Sequence, residues 1–404
     1  MNKKMIGFFV LMSFLLTGCW DKEELNDVSI VTGIAVDPGE EKKYKMTVEI
    51  VNSPEYGKQG ALGNTPVITY SLEGNSLSEL SNKMNVGLDR KLIYSHTRVL
   101  FINEEIAREG LFGFLDFLER SGHFRNDFNI LITKGNPASD FTKITYPIQK
   151  SPSLKLHKQI QTFLEEWGGD PRVRLTDFIS SIISKGKNPV AATVVLKGDV
   201  EKGKNVENNK SLEPEALILI DGIAIFKDDK MLGSIPLKET RAYLWTQKLK
   251  HTSLSIPCEE GKEEKELYFD VRVSRSNTKL KVSYKNNNPK LIVKITGETK
   301  IQGSECTNDL TKIDVFMEYE KKINEFVKKD ITSTIQSIQE EYGVDIFGFG
   351  EALYRQDPQK FKKEESKWDE VFAEAEVDVE VDLHLLRSGI KNKSFMTDLK
   401  TNKE

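Results

Sequence analysis

Three cysteines in 404 residues are too few for a disulfide framework or a cysteine-rich metal module. Histidine is nearly as scarce. His96, His123, His157, His251 and His384 each stand alone, without the His-x-x-x-His or His-x-Glu spacing that seats a metal. There is no Gly-x-Ser-x-Gly elbow and no glycine-rich loop ending in Lys-Ser or Lys-Thr. Positive charge is not in excess, for the net charge is −4. That argues against the basic face of a nucleic-acid binder and against broad adhesion to anionic lipid. Long apolar runs are missing too. Beyond residue 16 none approaches the ~18 residues that a membrane helix needs.

What is present starts at the N-terminus. Lys3 and Lys4 precede the run from Met5 to Leu16, and Thr17-Gly18-Cys19 follows it. A basic start, a short apolar stretch and small residues before a cut site describe a secretory signal. The stretch is too short to cross ~30 Å of hydrocarbon as a helix. Leu16-Thr17-Gly18-Cys19 resembles the bacterial lipobox. That resemblance implies a signal peptide over residues 1–18 and a diacylglyceryl group on Cys19, which becomes the new N-terminus. Two acyl chains hold a protein firmly to a membrane where one does not. Loss of Lys3 and Lys4 takes the net charge from −4 to −6. Trp20, Asp21 and Glu23 then lie closest to the bilayer and are the candidates for touching a membrane partner. Cys258 and Cys306 remain as an even pair outside the cytoplasm. Two readings stay open for them, a disulfide worth about 4 kcal/mol or two free thiols.

The order of patterns predicts a multi-domain α/β to α+β protein with mixed sheets and packed helices. Residues 19–197 form the expected N-terminal α/β domain. Its strands are Ile30–Val36, Tyr44–Val51, Val67–Leu72, Thr97–Ile102 and Phe128–Thr133, and one more holds Val194 and Val195. Ser76 with Glu79 reads as a capping box for a helix bearing Leu77, Leu80, Met84 and Leu88. Further helices are expected at Ile106–Arg120, Leu156–Trp167 and Leu175–Ser184. Residues 198–213 are mostly polar and read as a linker or exposed loop. The region 214–257 reads as a hairpin around Lys227-Asp-Asp-Lys230, followed by a helix over Glu239–Leu249.

Residues 258–390 form the expected C-terminal α+β domain, an antiparallel sheet backed by a long helix. Strands are expected at Leu267–Ser274, Lys279–Tyr284 and Leu291–Thr296. The helix Leu310–Tyr342 carries apolar residues at three-to-four spacing, and Gly343 stops it. Phe347-Gly-Phe-Gly350 reads as a tight turn, with a second helix near Gln359–Ala373. Glu376–Leu385 alternates polar and apolar residues with a period of two, a half-buried strand. Residues 391–404 are a polar tail.

Chemistry has few places to reside. Ser184-x-x-Lys187 matches a very short hydrolase spacing of the kind that chance produces. The stripe Glu376, Asp378, Glu380 and Asp382 shares one strand face and pairs more naturally with lysines than with a cation. No catalytic set, metal site or cofactor site is expected.

Several segments together resemble the C-subunit lipoproteins of bacterial spore germinant receptors, the Ger(x)C family. They are Leu16-Thr-Gly-Cys-Trp-Asp-Lys-Glu-Glu24, Ser95-His-Thr-Arg-Val-Leu-Phe-Ile-Asn-Glu-Glu-Ile-Ala-Arg-Glu-Gly110, the hairpin from Asp221 to Gly233 with Glu239 to Trp245, and Asp345-Ile-Phe-Gly-Phe-Gly-Glu-Ala-Leu-Tyr-Arg355. They keep their order over nearly the whole chain. The resemblance implies a multi-domain α/β fold and a non-enzymatic role on the outer face of the spore inner membrane. It also implies assembly with two integral-membrane partners, the A and B subunits. The Cys258 and Cys306 pair is not part of that family's pattern, so the resemblance implies no disulfide. Other readings are a solute-binding lipoprotein of a transporter, which needs two similar lobes around a cleft, and a lipid-anchored cell-wall hydrolase.

Overall fold

The computed structural model describes residues 27–56, 64–247, 249–259, 267–286, 288–306, 308–310 and 312–386. The signal peptide, Cys19, Trp20, Asp21, Glu23 and the tail 391–404 lie outside the described residues. Among those described, the strands form two sheets, one of nine strands and one of four.

The first sheet takes β1 (Val28–Pro38), β2 (Tyr44–Val51), β3 (Val67–Gly74), β4 (Lys91–Ile93), β5 (Val99–Asn103), β6 (Asn129–Lys134), β7 (Val190–Gly198), β8 (Ala216–Lys227) and β9 (Lys230–Pro236). Its order is β3-β2-β1-β5-β6-β7-β8-β9, with β4 beside β1. The central pairs β1/β5, β5/β6 and β6/β7 are parallel, as is the short β1/β4 pair, and β3/β2, β2/β1, β7/β8 and β8/β9 are antiparallel. The reason lies in the residues. Val99-Leu-Phe-Ile and Ile130-Leu-Ile are continuous apolar runs, buried throughout, as strands covered on both faces must be.

Helices supply the two covers. α1 (Leu77–Lys83), α2 (Glu104–Glu109) and α3 (Phe112–Arg120) lie on one face. α4 (Ala138–Phe141) and α5 (Pro152–Glu166) lie on the other, and α6 (Leu175–Ile183) rejoins the first. The Ser76 cap is present, its Oγ accepting from Glu79 N at 3.1 Å. The reciprocal bond reaches one residue further back, from Asn75 N to Glu79 Oε2 at 3.1 Å.

The single helix expected over Ile106–Arg120 is two. Gly110, at φ +124°, breaks it, and Asp229 Oδ2 accepts from Phe112 N at 2.9 Å to start the second piece. Segment 198–213 holds α7 (Val200–Gly203) and a 3-10 turn, Val206–Lys210. Buried Asn208 anchors it by donating to the Thr145 carbonyl at 2.9 Å and accepting from Glu215 N at 2.7 Å. The strands on its two sides, β7 and β8, pair with each other.

α8 (Leu237–Thr246) leads to the second sheet, β10 (Thr252–Pro257), β11 (Tyr268–Lys285), β12 (Asn288–Ser304) and, after the helices, β13 (Glu376–Leu385). Two of the strands expected from the sequence are one. Arg275-Ser-Asn277, between those two expected strands, lies just past a register shift within β11, and β10 was not anticipated. α9 (Ile313–Glu341) lays Ile323, Val327, Ile331, Ile335 and Ile338 in the core, whereas Ile313 and Met317 stay exposed. α10 (Phe349–Gln356) begins where only a turn was expected. α11 (Pro358–Glu364) and α12 (Trp368–Glu374) divide the helix expected near Gln359–Ala373. The expectation of an antiparallel C-terminal sheet needs one correction. β13 pairs with β12 in parallel, and the four helices between them form the crossover that a parallel pair requires.

Cys258 and Cys306 are bonded, with Cα atoms 5.8 Å apart. That span is ordinary for a disulfide. The bond ties the end of β10 to the end of β12 across β11.

Candidate functional site

The most heavily built polar site joins the two sheets. α9 ends when Gly343, at φ +61°, lets its N–H reach back to the Ile338 carbonyl at 3.0 Å. The chain then delivers Asp345 into the interior, fully buried. Its Oδ1 accepts from Phe347 N at 2.9 Å and Gly348 N at 2.8 Å. Its Oδ2 accepts from Gly350 N at 2.9 Å and from the Trp368 indole at 3.0 Å. Burial pushes the carboxyl up to about 6, and those four donors pull against it. Gly348 sits at φ +90°, a backbone state that an L side chain rarely adopts.

This turn docks against the loop before β7. A Cβ on Gly350 would come within 2.6 Å of Gly186 Cα, so two glycines let the backbones cross. Gly186 O accepts from Glu351 N at 3.2 Å, and Asn188 N donates to Asp345 O at 2.7 Å. Side chains extend the seam. Ser184 Oγ donates to Glu351 Oε1 at 2.8 Å, and Asn188 Nδ2 to Asp369 Oδ1 at 3.1 Å. Lys227 pairs with Asp369 at 3.0 Å. Phe347 packs against Phe349 and Phe372 beneath, at ring distances of 6.0 and 6.1 Å.

Lys187 continues inward from the same loop. Its Nζ donates to Gln247 Oε1 at 2.7 Å, and Gln247 Nε2 donates to the Phe347 carbonyl at 2.9 Å. Burial pushes the Lys187 ammonium down, against the opposing pull of Glu351, Asp345 and Asp177. Beside it a cavity of about 490 Å³ lies among α5, α6 and α8.

Ser184 and Lys187 thus hydrogen-bond to different partners and do not meet as a nucleophile and base. The acidic stripe of β13 pairs with lysines: Lys290 with Glu376 and Asp378 at 3.3 and 3.0 Å, and Lys294 with Glu380 at 3.0 Å. No group of three or more metal-ligating side chains gathers among the described residues. The sequence offered no separate signal for the Asp345 cage or for Gln247. The glycines at 348 and 350, two residues apart behind an aspartate, were the available hint.

The fold and this junction define a two-sheet α/β protein whose C-terminal turn is locked into its N-terminal sheet. Residues 21–196 match the family described as spore germination protein N-terminal domain. Residues 221–389 match the one described as spore germination B3/GerAC like, C-terminal. The chain belongs to the Ger(x)C family of spore germination proteins. It is 29% identical over 416 residues to spore germination protein KC of Bacillus subtilis (strain 168), covering 99% of each chain. It is 21% identical over 401 residues to spore germination protein B3 of the same organism, covering 97% of this chain and 99% of that one. The crystal structure of the GerBC protein superposes with a TM-score of 0.55 at 18% identity, over 91% of this chain and 100% of the other. At that identity the likeness is one of fold.

Proposed function

We propose that this chain is the lipid-anchored C subunit of a spore germinant receptor. It serves as a non-enzymatic partner of the A and B membrane subunits in nutrient-triggered germination. The observation that carries the reading is end-to-end similarity to proteins named for spore germination, with 99% of this chain covered in one case. The lipobox adds the anchor. Diacylglyceryl-Cys19 holds the protein on the outer face of the spore inner membrane, and Trp20, Asp21 and Glu23 follow at the bilayer surface. No helix among the described residues is long and apolar enough to cross a membrane, so the lipid is the attachment that this reading needs.

The test is fractionation of spores carrying Cys19→Ala, together with a pull-down of the lipidated protein from detergent-solubilised inner membranes. The variant should move wholly to the soluble fraction, and the pull-down should recover two multi-spanning subunits. A variant that stays on the membrane would remove the anchor. Recovery of a transporter permease instead would favour a solute-binding lipoprotein, although the two sheets, of nine and four strands, are not the similar lobes expected of one.

A further inference from the structure

The cavity beside Lys187 has the dimensions and the walls of a small-molecule site. Its volume of about 490 Å³ falls within the ~300–1,000 Å³ typical of ligand pockets. Leu164, Pro171, Val173, Val190, Leu244 and Leu249 supply apolar wall. Lys187, Gln247 and Ser181 supply the polar points, and Lys250, His251 and the carboxylates of Glu165 and Asp177 are also on the lining.

Lys187 is a cation short of a counter-ion. An ammonium has three donors, and Gln247 Oε1, a neutral acceptor, takes one. The carboxylates that act on it are all committed elsewhere. Asp345 is held by four donors on its two oxygens. Glu351 accepts from Ser184 and pairs with Arg355 at 3.7 Å. Asp177 pairs with Arg174 at 2.9 Å. Among the described residues no carboxylate forms an ion pair with Lys187. A half-buried ammonium with a neutral partner lacks ionic compensation for its desolvation, and a cavity beside it leaves room for a counter-ion to arrive.

We propose that this cavity binds a small molecule carrying a carboxylate, with the anionic end on Lys187 Nζ and the apolar body against the wall of Leu164, Val173, Val190, Leu244 and Leu249. Of the two lysines on the lining, Lys187 is the one oriented by Gln247, and one oriented ammonium suits a carboxylate better than a phosphate, which draws on several donors at once. The inference does not rest on membership of a receptor, because binding is read on the isolated chain.

The test uses the full chain, purified in non-ionic detergent and titrated by calorimetry with matched pairs. These are 4-methylpentanoate against 4-methylpentanamide and phenylacetate against phenylacetamide, with inorganic phosphate as a further probe. At least one acid should bind, and its amide should bind at least roughly tenfold more weakly, a difference the desolvated ion pair supplies. Lys187→Met should erase the preference. Val173→Phe, which fills the cavity without touching Lys187, should abolish binding and guards against misfolding of the first variant, with melting curves reporting both. Equal binding of acid and amide, binding of phosphate alone, no binding of any probe, or an unchanged preference in Lys187→Met would each overturn the proposal.

Discussion

The two sheets solve burial differently. The nine-stranded sheet is covered by helices on both faces, so its central strands β5 and β6 are apolar without interruption. Its long crossovers bring distant loops together, and buried carboxylates receive them. Asp37 accepts from Ala138 N at 2.6 Å and from Ser139 N at 2.9 Å, about a hundred residues away. Glu49 takes hydroxyls from Thr32, Ser151 and Ser153. The four-stranded sheet is backed by α9, alternates buried and open positions along β11, and is closed at one end by a disulfide. A two-faced sheet thus needs polar ties at its loop ends. The smaller sheet takes its order from alternation, one helix and a covalent clip.

The largest effect should come from breaking the point where the two meet. Asp345→Ala strips four donors of their acceptor, and each buried unsatisfied group costs about 1–3 kcal/mol. A loss of roughly 4 kcal/mol is expected in urea unfolding. A loss below about 1 kcal/mol would mean that the sheets stand without the cage.

Next comes the clip. Replacing Cys258 and Cys306 together by serine should cost about 2–4 kcal/mol. Hydrogen exchange should rise first at the ends of β10 and β12, with β5 and β6 unchanged. Equal loosening of both sheets would contradict the division drawn here.

The smallest effect is one of pH. Burial pushes Asp170 up to about 7 and Asp345 up to about 6, and it raises Glu49 as well. A carboxylate raised in this way binds its proton more tightly folded than unfolded. Its contribution is full below the unfolded pKa near 4 and is lost as pH rises through the folded value. Melting temperature should therefore fall as pH rises from about 4 to about 7, the window that those two shifts span. Asp170→Asn should flatten that slope more than any change made to the second sheet outside Asp345. A slope unchanged in Asp170→Asn would show that the group does not titrate in this range.

Local pattern was legible wherever neighbours in sequence decide the structure. The period of two over Glu376–Leu385 marked β13 to the residue, and the Lys227-Asp-Asp-Lys230 turn marked the β8–β9 hairpin. The spacing of isoleucines and valines marked α9. The signal failed where a distant group overrides it. Arg275-Ser-Asn277 separates two strand patterns in the sequence, yet pairing with Thr296, Gly297 and Glu298 of β12 carries β11 straight through. Ile106–Arg120 looks like one amphipathic helix, yet Asp229 of another hairpin claims Phe112 N and divides it.

By itself the sequence determined most of the strands and helices, the Leu16–Cys19 run that resembles a lipobox, and the ordered segments that identify the family. These rest on side-chain periodicity and on motifs read within a few residues. Only the tertiary structure decided that β13 runs parallel to β12, that Cys258 meets Cys306, and that Lys187 turns inward beside a cavity. A lysine in the polar loop Ser184-Lys-Gly-Lys-Asn188 reads as a surface residue. It becomes half-buried because Gly186 and Gly350 bring two distant backbones within reach, and no local pattern encodes that approach.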